Sequence, residues 1–248
     1  MSSPRTLIID IETTPNITYS WGLFKQNIGI NQIVEPSRMM CFAAKWLGEE
    51  ETMFFAEWIN RDLMLDAAYR LLDEAHILMH YNGNKFDVPI LRKELILAGY
   101  KPPSPFKNID LWQVVSRQFK FTSSKLEYVS RQLGLEGKVA HSGFELWKAV
   151  MAREVQALDL METYNRQDVD LLVDLYEVLL PWIPNHPNQN LYTQDETPVC
   201  TNCASGDLIR EGYAYTALGK YQRYSCRDCG KWSRGNKRID GAAVQSAL

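Results

Sequence analysis

The 248-residue chain has little of what marks several protein classes. No apolar run approaches the roughly 20 residues that span a bilayer. The N-terminus MSSPRTLIIDIE lacks the charged start and long apolar core of a signal peptide, so a cytoplasmic location is expected. Cysteine is scarce: five residues do not make a small disulfide scaffold. With 46% hydrophobic and 23% charged residues, neither wholesale disorder nor a collagen-like chain is open. What remains is one sizeable core and a small appendage, not several full domains.

Net charge is also small, but it is unevenly divided. Residues 199–248 hold eight Lys/Arg (Arg210, Lys220, Arg223, Arg227, Lys231, Arg234, Lys237, Arg238) against Asp207, Glu211, Asp228 and Asp240. That surplus of +4 leaves −7 for the rest of a chain whose total is −3. A basic end can meet a polyanion, and an acidic body can concentrate carboxylates to hold cations.

The run TLIIDIE at 6–12 is short, apolar and Ile-rich, and predicts a central strand. Residues 39–46 and 51–56 flank the turn LGEEE as an antiparallel pair. A helix is expected over 61–73 and a strand over HILMH at 76–80. Helices are then expected over about 87–98, 111–120, 124–134, 143–151 and 154–180, with a short strand at Asn108 to Asp110. This order predicts an α/β fold with a sheet of mixed direction. Pro181, Pro184, Pro187 and Pro198 punctuate a polar stretch that cannot continue a helix. The domains expected are 1–182, a linker 183–198, a β-rich module 199–235 and a frayed tail 236–248. Cys41, alone in MMCFAAKW, is read as a small buried hydrophobe.

Three acidic signals carry chemistry. Asp10 and Glu12 leave one face of the first strand about 7 Å apart along the backbone, a spacing from which two carboxylates can converge on one ion; a solvated strand end is the plain alternative. Asp168 falls on the apolar stripe of the last long helix, where a lone carboxylate costs several kcal/mol. Tyr164 lies one turn earlier on the same face, so hydroxyl and carboxylate can share one site. Asp87, in HYNGNKFDVPIL, precedes Val88 and Pro89 and is open to two readings, a site residue or an N-cap.

The remaining four cysteines form two C-x-x-C knuckles, Cys200/Cys203 and Cys226/Cys229, separated by 22 residues. Four thiolates in that pattern can enclose one structural Zn2+, closed to water and to catalysis. Between them, GYAYTALGKYQRYS alternates around Leu218-Gly219 as a hairpin would. Tyr213, Tyr215, Tyr221, Tyr224 and Trp232 interleave with Lys220, Arg223, Arg227 and Lys231, a mixture suited to phosphate contact and base stacking. Docking a replication or recombination protein through this ribbon is the other reading.

At the acidic positions the sequence resembles the DEDD superfamily of 3'-to-5' exonucleases, whose fold is RNase H-like. The matching residues are Asp10 and Glu12 in DIE, Asp87 in NGNKFDVPIL, and Tyr164 and Asp168 in YNRQD. The Tyr-x-x-x-Asp form, where other members carry His five residues ahead of the Asp, is similar to the DEDDy branch. NGNKFDVPIL is similar to the proofreading domain of family B DNA polymerases, although no polymerase domain fits in this length. The ribbon after the domain resembles stand-alone bacteriophage exonucleases. The resemblance covers about residues 5–180 and implies an RNase H-like mixed sheet flanked by helices, followed by a small β-rich zinc ribbon.

It further implies two Mg2+ or Mn2+ ions acting on a phosphodiester. Asp10 would bridge both, Glu12 and Asp168 would complete the site of the ion that activates water, and Asp87 would hold the second through water. Tyr164, with an ordinary pKa near 10, is a poor base at neutral pH and is assigned to orienting the nucleophilic water. Substrate contacts are expected from Asn82, Phe86, Trp21 and Phe24, with Tyr19 beside them, the aromatics stacking on terminal bases. The expected substrate is DNA with single-stranded or frayed 3' ends, with no membrane partner. An exoribonuclease of the same branch and a catalytically silent binding module are the alternatives.

Overall fold

The computed structural model describes residues 4–135, 143–192 and 197–244. It divides into a larger compact unit, Arg5–Leu175, and a smaller one built from Tyr176 onward.

Up to that boundary the chain runs β1 (Thr6–Thr13), β2 (Ile17–Thr18), β3 (Ile33–Glu35), β4 (Met39–Trp46), β5 (Met53–Ala56), α1 (Glu57–Glu74), β6 (Ile77–His80), α2 (Asp87–Leu97), β7 (Lys107–Asp110), α3 (Leu111–Gln118), α4 (Leu126–Gln132), α5 (Phe144–Met151) and α6 (Val155–Leu179), whose last turn from Tyr176 falls in the smaller unit. Five strands form one sheet in the order β5-β4-β1-β6-β7. β1 is antiparallel to β4 and parallel to β6, and β7 is parallel to β6. The mixed α/β fold expected from the element order is therefore found.

Alternation along β1 divides the interior. Leu7, Ile9 and Ile11 enter a core with Phe42, Met64, Leu72, Leu91 and Leu95, beneath α1 and α2. The opposite face carries a second core of Met40, Cys41, Ala56, Leu146, Val150, Met161 and Tyr164, beneath α5 and α6. Strand period therefore sends Asp10 and Glu12 toward α6. Cys41 is fully buried, as the sequence implies.

The helix predicted from Arg61 has a physical start there. Asn60 is non-helical and its Oδ1 accepts from the Leu63 amide at 3.0 Å, so a cap separates one short turn from the main helix. The ribbon pair β2 and β3 escapes sequence reading because each strand is too short to show a period. Between them the chain forms an exposed arm that carries Trp21 (99% accessible) and Phe24 (85%).

The smaller unit holds a three-stranded antiparallel sheet, β8 (Leu208–Tyr215), β9 (Gly219–Cys226) and β10 (Trp232–Gly241), in the order β10-β9-β8. β8 and β9 are the hairpin expected around Leu218-Gly219. Two boundaries differ from expectation. The end read as frayed from residue 236 is strand to Gly241, because β10 continues its pairing with β9 as far as Gly241 opposite Gly219; residues 245–248 of that tail lie outside the described residues.

The stretch read as a linker, 183–198, is held down over its described part. Asn202 Nδ2 donates to the carbonyls of Leu180 and Ile183, Lys231 Nζ donates to Ile183, and Asn190 exchanges two bonds with Val199. Prolines stop a helix but leave carbonyls, and these are taken by the knuckles. Residues 193–196 lie outside the described residues. No helix among the described residues is long and apolar enough to cross a membrane.

Candidate active site

The site forms where β6 ends before β1 does. β6 pairs with β1 only over Thr6 to Ile8, so beyond Ile8 that edge of β1 has no strand partner. Asp87, from the turn into α2, takes the place of the missing strand, its Oδ1 accepting from the Ile11 amide at 3.2 Å. Ile11 stands between Asp10 and Glu12, so this bond brings the second acidic signal to the first. The N-cap of α2 is Phe86, without a side-chain cap, so Asp87 is the first residue of the helix and not its N-cap.

Two anchors register α6 against the sheet. Asn165, fully buried, donates through Nδ2 to Asp10 Oδ2 at 2.7 Å and to the Asp10 carbonyl at 3.2 Å. Asp170 accepts from Lys45 Nζ at 2.8 Å and Thr52 Oγ1 at 2.6 Å. Asp168 lies between these anchors and is 3% accessible. Tyr164 is buried, packs edge-on against Trp147 at 6.2 Å, and shares a hydrogen bond with Asp168. Cys41 on β4 pairs with Glu12 on β1 and packs in the same core as Tyr164.

The electrostatics follow from this crowding. Burial, then the charges of Asp168, Glu12 and Asp10, push the Tyr164 hydroxyl far above its ordinary range, so it keeps its proton. Burial pushes the Asp87 carboxyl up to about 7, with the Ile11 amide opposing and Asp110 adding to the rise. Among the described residues, only the four cysteines bring three or more ligand atoms within 4.8 Å of one another. The carboxylates of Asp10, Glu12 and Asp168 all act on the Tyr164 hydroxyl, and Asp87 joins them through the Ile11 amide. Their donor set is all oxygen, which suits a hard divalent ion. Other buried acids are already committed: Glu57 to Arg38, Arg61 and Arg153, and Glu94 to Arg61 and Lys93.

Sequence reading missed two contributors. Asn165 lies on the stripe Met161, Asn165, Asp168, Leu172 and was identifiable as a polar residue at a core position. Asp110, buried at the end of β7, accepts from the amides of Asn82 at 2.9 Å and Asn84 and Gln113 at 3.4 Å. It thereby caps α3 and shapes the loop that delivers Asp87. The spacing Asp110-x-x-Gln113 before Leu111-Trp112 was its signal. His80, fully buried opposite Asp110, accepts from the Gly83 amide at 3.0 Å; burial lowers its pKa and keeps the ring neutral.

Of the expected substrate contacts, Asn82 sits in this loop with positive φ, which Asn tolerates, and Phe86 is half-exposed beside Asp87. Trp21 and Phe24 lie out on the arm after β1.

In the smaller unit all four thiols gather, with Cys200 Sγ 3.5 Å from Cys229 Sγ and Cys203 Sγ 3.6 Å from Cys226 Sγ. No disulfide joins them, since that bond needs about 2.05 Å. The two knuckles share one turn, Ala204 N to Cys200 O and Gly230 N to Cys226 O, each closing on a residue of positive φ. Burial raises Cys229 to about 11 and Cys203 further, so these two thiols become thiolates at neutral pH only with a cation beside them. The cluster is that of a zinc ribbon and could bind zinc.

The RNase_H_2 family of the RNase_H superfamily matches residues 7–180. No curated protein matches the chain in sequence. Among solved structures, the chain is similar to the family B DNA polymerase of the hyperthermophilic archaeon Pyrobaculum calidifontis, at 17% identity and a TM-score of 0.53. The likeness covers 73% of this chain and 25% of the polymerase, so the chain spans about a quarter of that protein's length, and at this identity it shows the fold. Together they agree on an RNase H-like fold. By the extent of the match, more than two thirds of its length, the chain belongs to the RNase_H_2 family.

Proposed function

We propose that the chain is a divalent-metal-dependent 3'-to-5' exonuclease of the DEDDy type, hydrolysing DNA from single-stranded or frayed 3' ends. The observation that carries this reading is the gathering of Asp10, Glu12, Tyr164 and Asp168 at one face of β1, with Asp87 bonded to the amide between the first two. Asp10, Glu12, Asp87 and Asp168 would hold two Mg2+ or Mn2+ ions, which when bound supply charge neutralisation and a low-pKa water.

The protein's own part is positioning. Asn165 fixes the Asp10 carboxylate, the Ile11 amide fixes Asp87, and Trp147 holds the Tyr164 ring. Tyr164, kept protonated, donates a hydrogen bond rather than accepting a proton, which suits orientation of the attacking water. Phe86, next to Asp87, is placed to stack on the terminal base. A Zn2+ in the ribbon would be structural.

The test incubates 5'-labelled single-stranded DNA, duplex DNA and RNA with protein and Mg2+ or Mn2+. A ladder shortening from the 3' end of DNA is the expected result. Faster shortening of RNA would make the chain an exoribonuclease, and uncut substrate would leave a binding module.

A further inference from the structure

The ribbon sheet carries a feature that its zinc-binding role does not require. On one face of β9 and β10, five side chains stand together: Tyr221, Arg223, Trp232, Arg234 and Arg238. Arg223 lies directly across the strands from Arg234, and Tyr221 from Arg238. The stacking is diagonal, with the Arg223 guanidinium 4.4 Å from the Trp232 ring and that of Arg234 4.2 Å from the Tyr221 ring. Room for the third arginine is made by glycine: a Cβ at Gly219 would lie 2.8 Å from Arg238 Cδ, and one at Gly241 2.8 Å from its Cζ.

Like charges directly opposed on a sheet are destabilising, and three guanidiniums on one small face concentrate that cost. The nearest offset is weak. Glu211 gives Arg223 only its backbone carbonyl, and its carboxylate accepts from the Ser225 hydroxyl. None of the three arginines has a carboxylate within 4.0 Å among the described residues. A guanidinium centred over an aromatic ring has one side toward the ring and its other side outward, and Arg223 spends only its Nε on the Glu211 carbonyl, keeping its two Nη groups at the edge. That outer side can stack on a base while the edge donates to phosphate.

We infer that this face is a second nucleic-acid site, which holds single-stranded phosphodiester chain by base stacking and phosphate contact without reading sequence. It belongs to the smaller unit and does not rest on hydrolysis by the larger one. The chemistry it offers, planes for bases and donors for phosphates, makes no use of a 2'-hydroxyl, so DNA and RNA should be held alike.

The experiment measures binding of a 5'-fluorescent oligothymidylate and a matching oligouridylate, about 20 nucleotides each, by anisotropy across a salt series. The full-length protein is used without added divalent metal, so no strand is cut. The variant R223Q/R234Q/R238Q should bind both strands at least about tenfold more weakly, with the slope of log K against log salt flatter by about 2. R223K/R234K/R238K keeps the charge but loses the stack, and should keep the slope while losing several-fold in affinity.

Zinc content per chain reports whether the ribbon is intact. If the glutamine triple loses zinc, Arg238→Gln alone should flatten the slope by about 0.7. An unchanged slope and affinity in a zinc-loaded variant would overturn the proposal. So would a wild-type protein that binds neither strand, which would assign the face to a protein partner. Because the readout is binding, its failure leaves the exonuclease reading standing, and an inactive enzyme would not count against it.

Discussion

Asp87 stands in the first turn of α2, 3% accessible, with its carboxyl pushed up to about 7 by burial. An unfolded chain would release that proton near 4. Between those values the folded state holds more protons than the unfolded one, so the stability of the metal-free protein falls as pH rises through the window, by up to roughly 4 kcal/mol. Asp87→Asn should remove that slope and raise the melting temperature at pH 8 relative to pH 5, as read by thermal unfolding in chelator. A divalent ion should stabilise the wild type at pH 8 and stabilise the D87N protein less, because Asp10, Glu12 and Asp168 still offer ligands for one ion.

The same crowding gives two kinetic expectations. Asp10→Ala should abolish turnover, and activity retained in that variant would refute the assignment. Tyr164→Phe should slow turnover about 100-fold while leaving Mn2+ affinity, measured by titration calorimetry, within a few-fold. These residues were legible because acids at i and i+2 of a strand and at a core position of a helix contradict burial unless they serve something. Asn165 and Asp110 were less so. A buried amide or a capping acid is ordinary in sequence, and only the distances to Asp10 and to the Asn82 amide reveal what each holds.

At the scale of elements, the turn from β6 into α2 decides where Asp87 lands. Gly83 in that turn approaches His80 so closely that an added Cβ would lie 2.4 Å from the ring, while its amide donates to His80 Nδ1. Both groups are buried, so neither can move aside cheaply. Gly83→Ala should cost about 2–3 kcal/mol in urea unfolding, as overpacking does. It should also lower activity more than the stability loss alone explains, because the displaced loop carries Asp87; full activity in a destabilised variant would show that the loop does not position it. The sequence showed a polar loop with one glycine but not why that glycine mattered, since close approach is a property of the partner ring.

The larger elements were readable for the opposite reason. β1, β4 and β6 are short apolar runs and α6 carries a long helical stripe, whereas β2, β3 and the end of β10 are set by their pairing partners.

For the whole molecule, the two units differ in what holds them. The larger one has two apolar cores on either side of its sheet. Among the described residues from Tyr176 onward, buried apolar side chains amount to Tyr176, Leu179, Ile183, Cys200 and Cys226, two of which are knuckle thiols. A unit of that size with so little apolar interior needs a staple, and a metal held by the four thiols would lend its binding free energy to folding. Without the ion, the gathered thiols leave the water-exposed sheet with hydrogen bonds and few packed contacts, while β1, β4 and β6 keep their cores. Stripping the metal under denaturant-free conditions, or replacing Cys203 by Ser, should therefore strip hydrogen-exchange protection from β8, β9 and β10 and leave that of the five-stranded sheet unchanged. Loss of protection spread evenly over both sheets would mean that the ribbon is not held by its cysteines independently of the larger unit. Protection unchanged everywhere would mean that they hold no metal on which its folding depends.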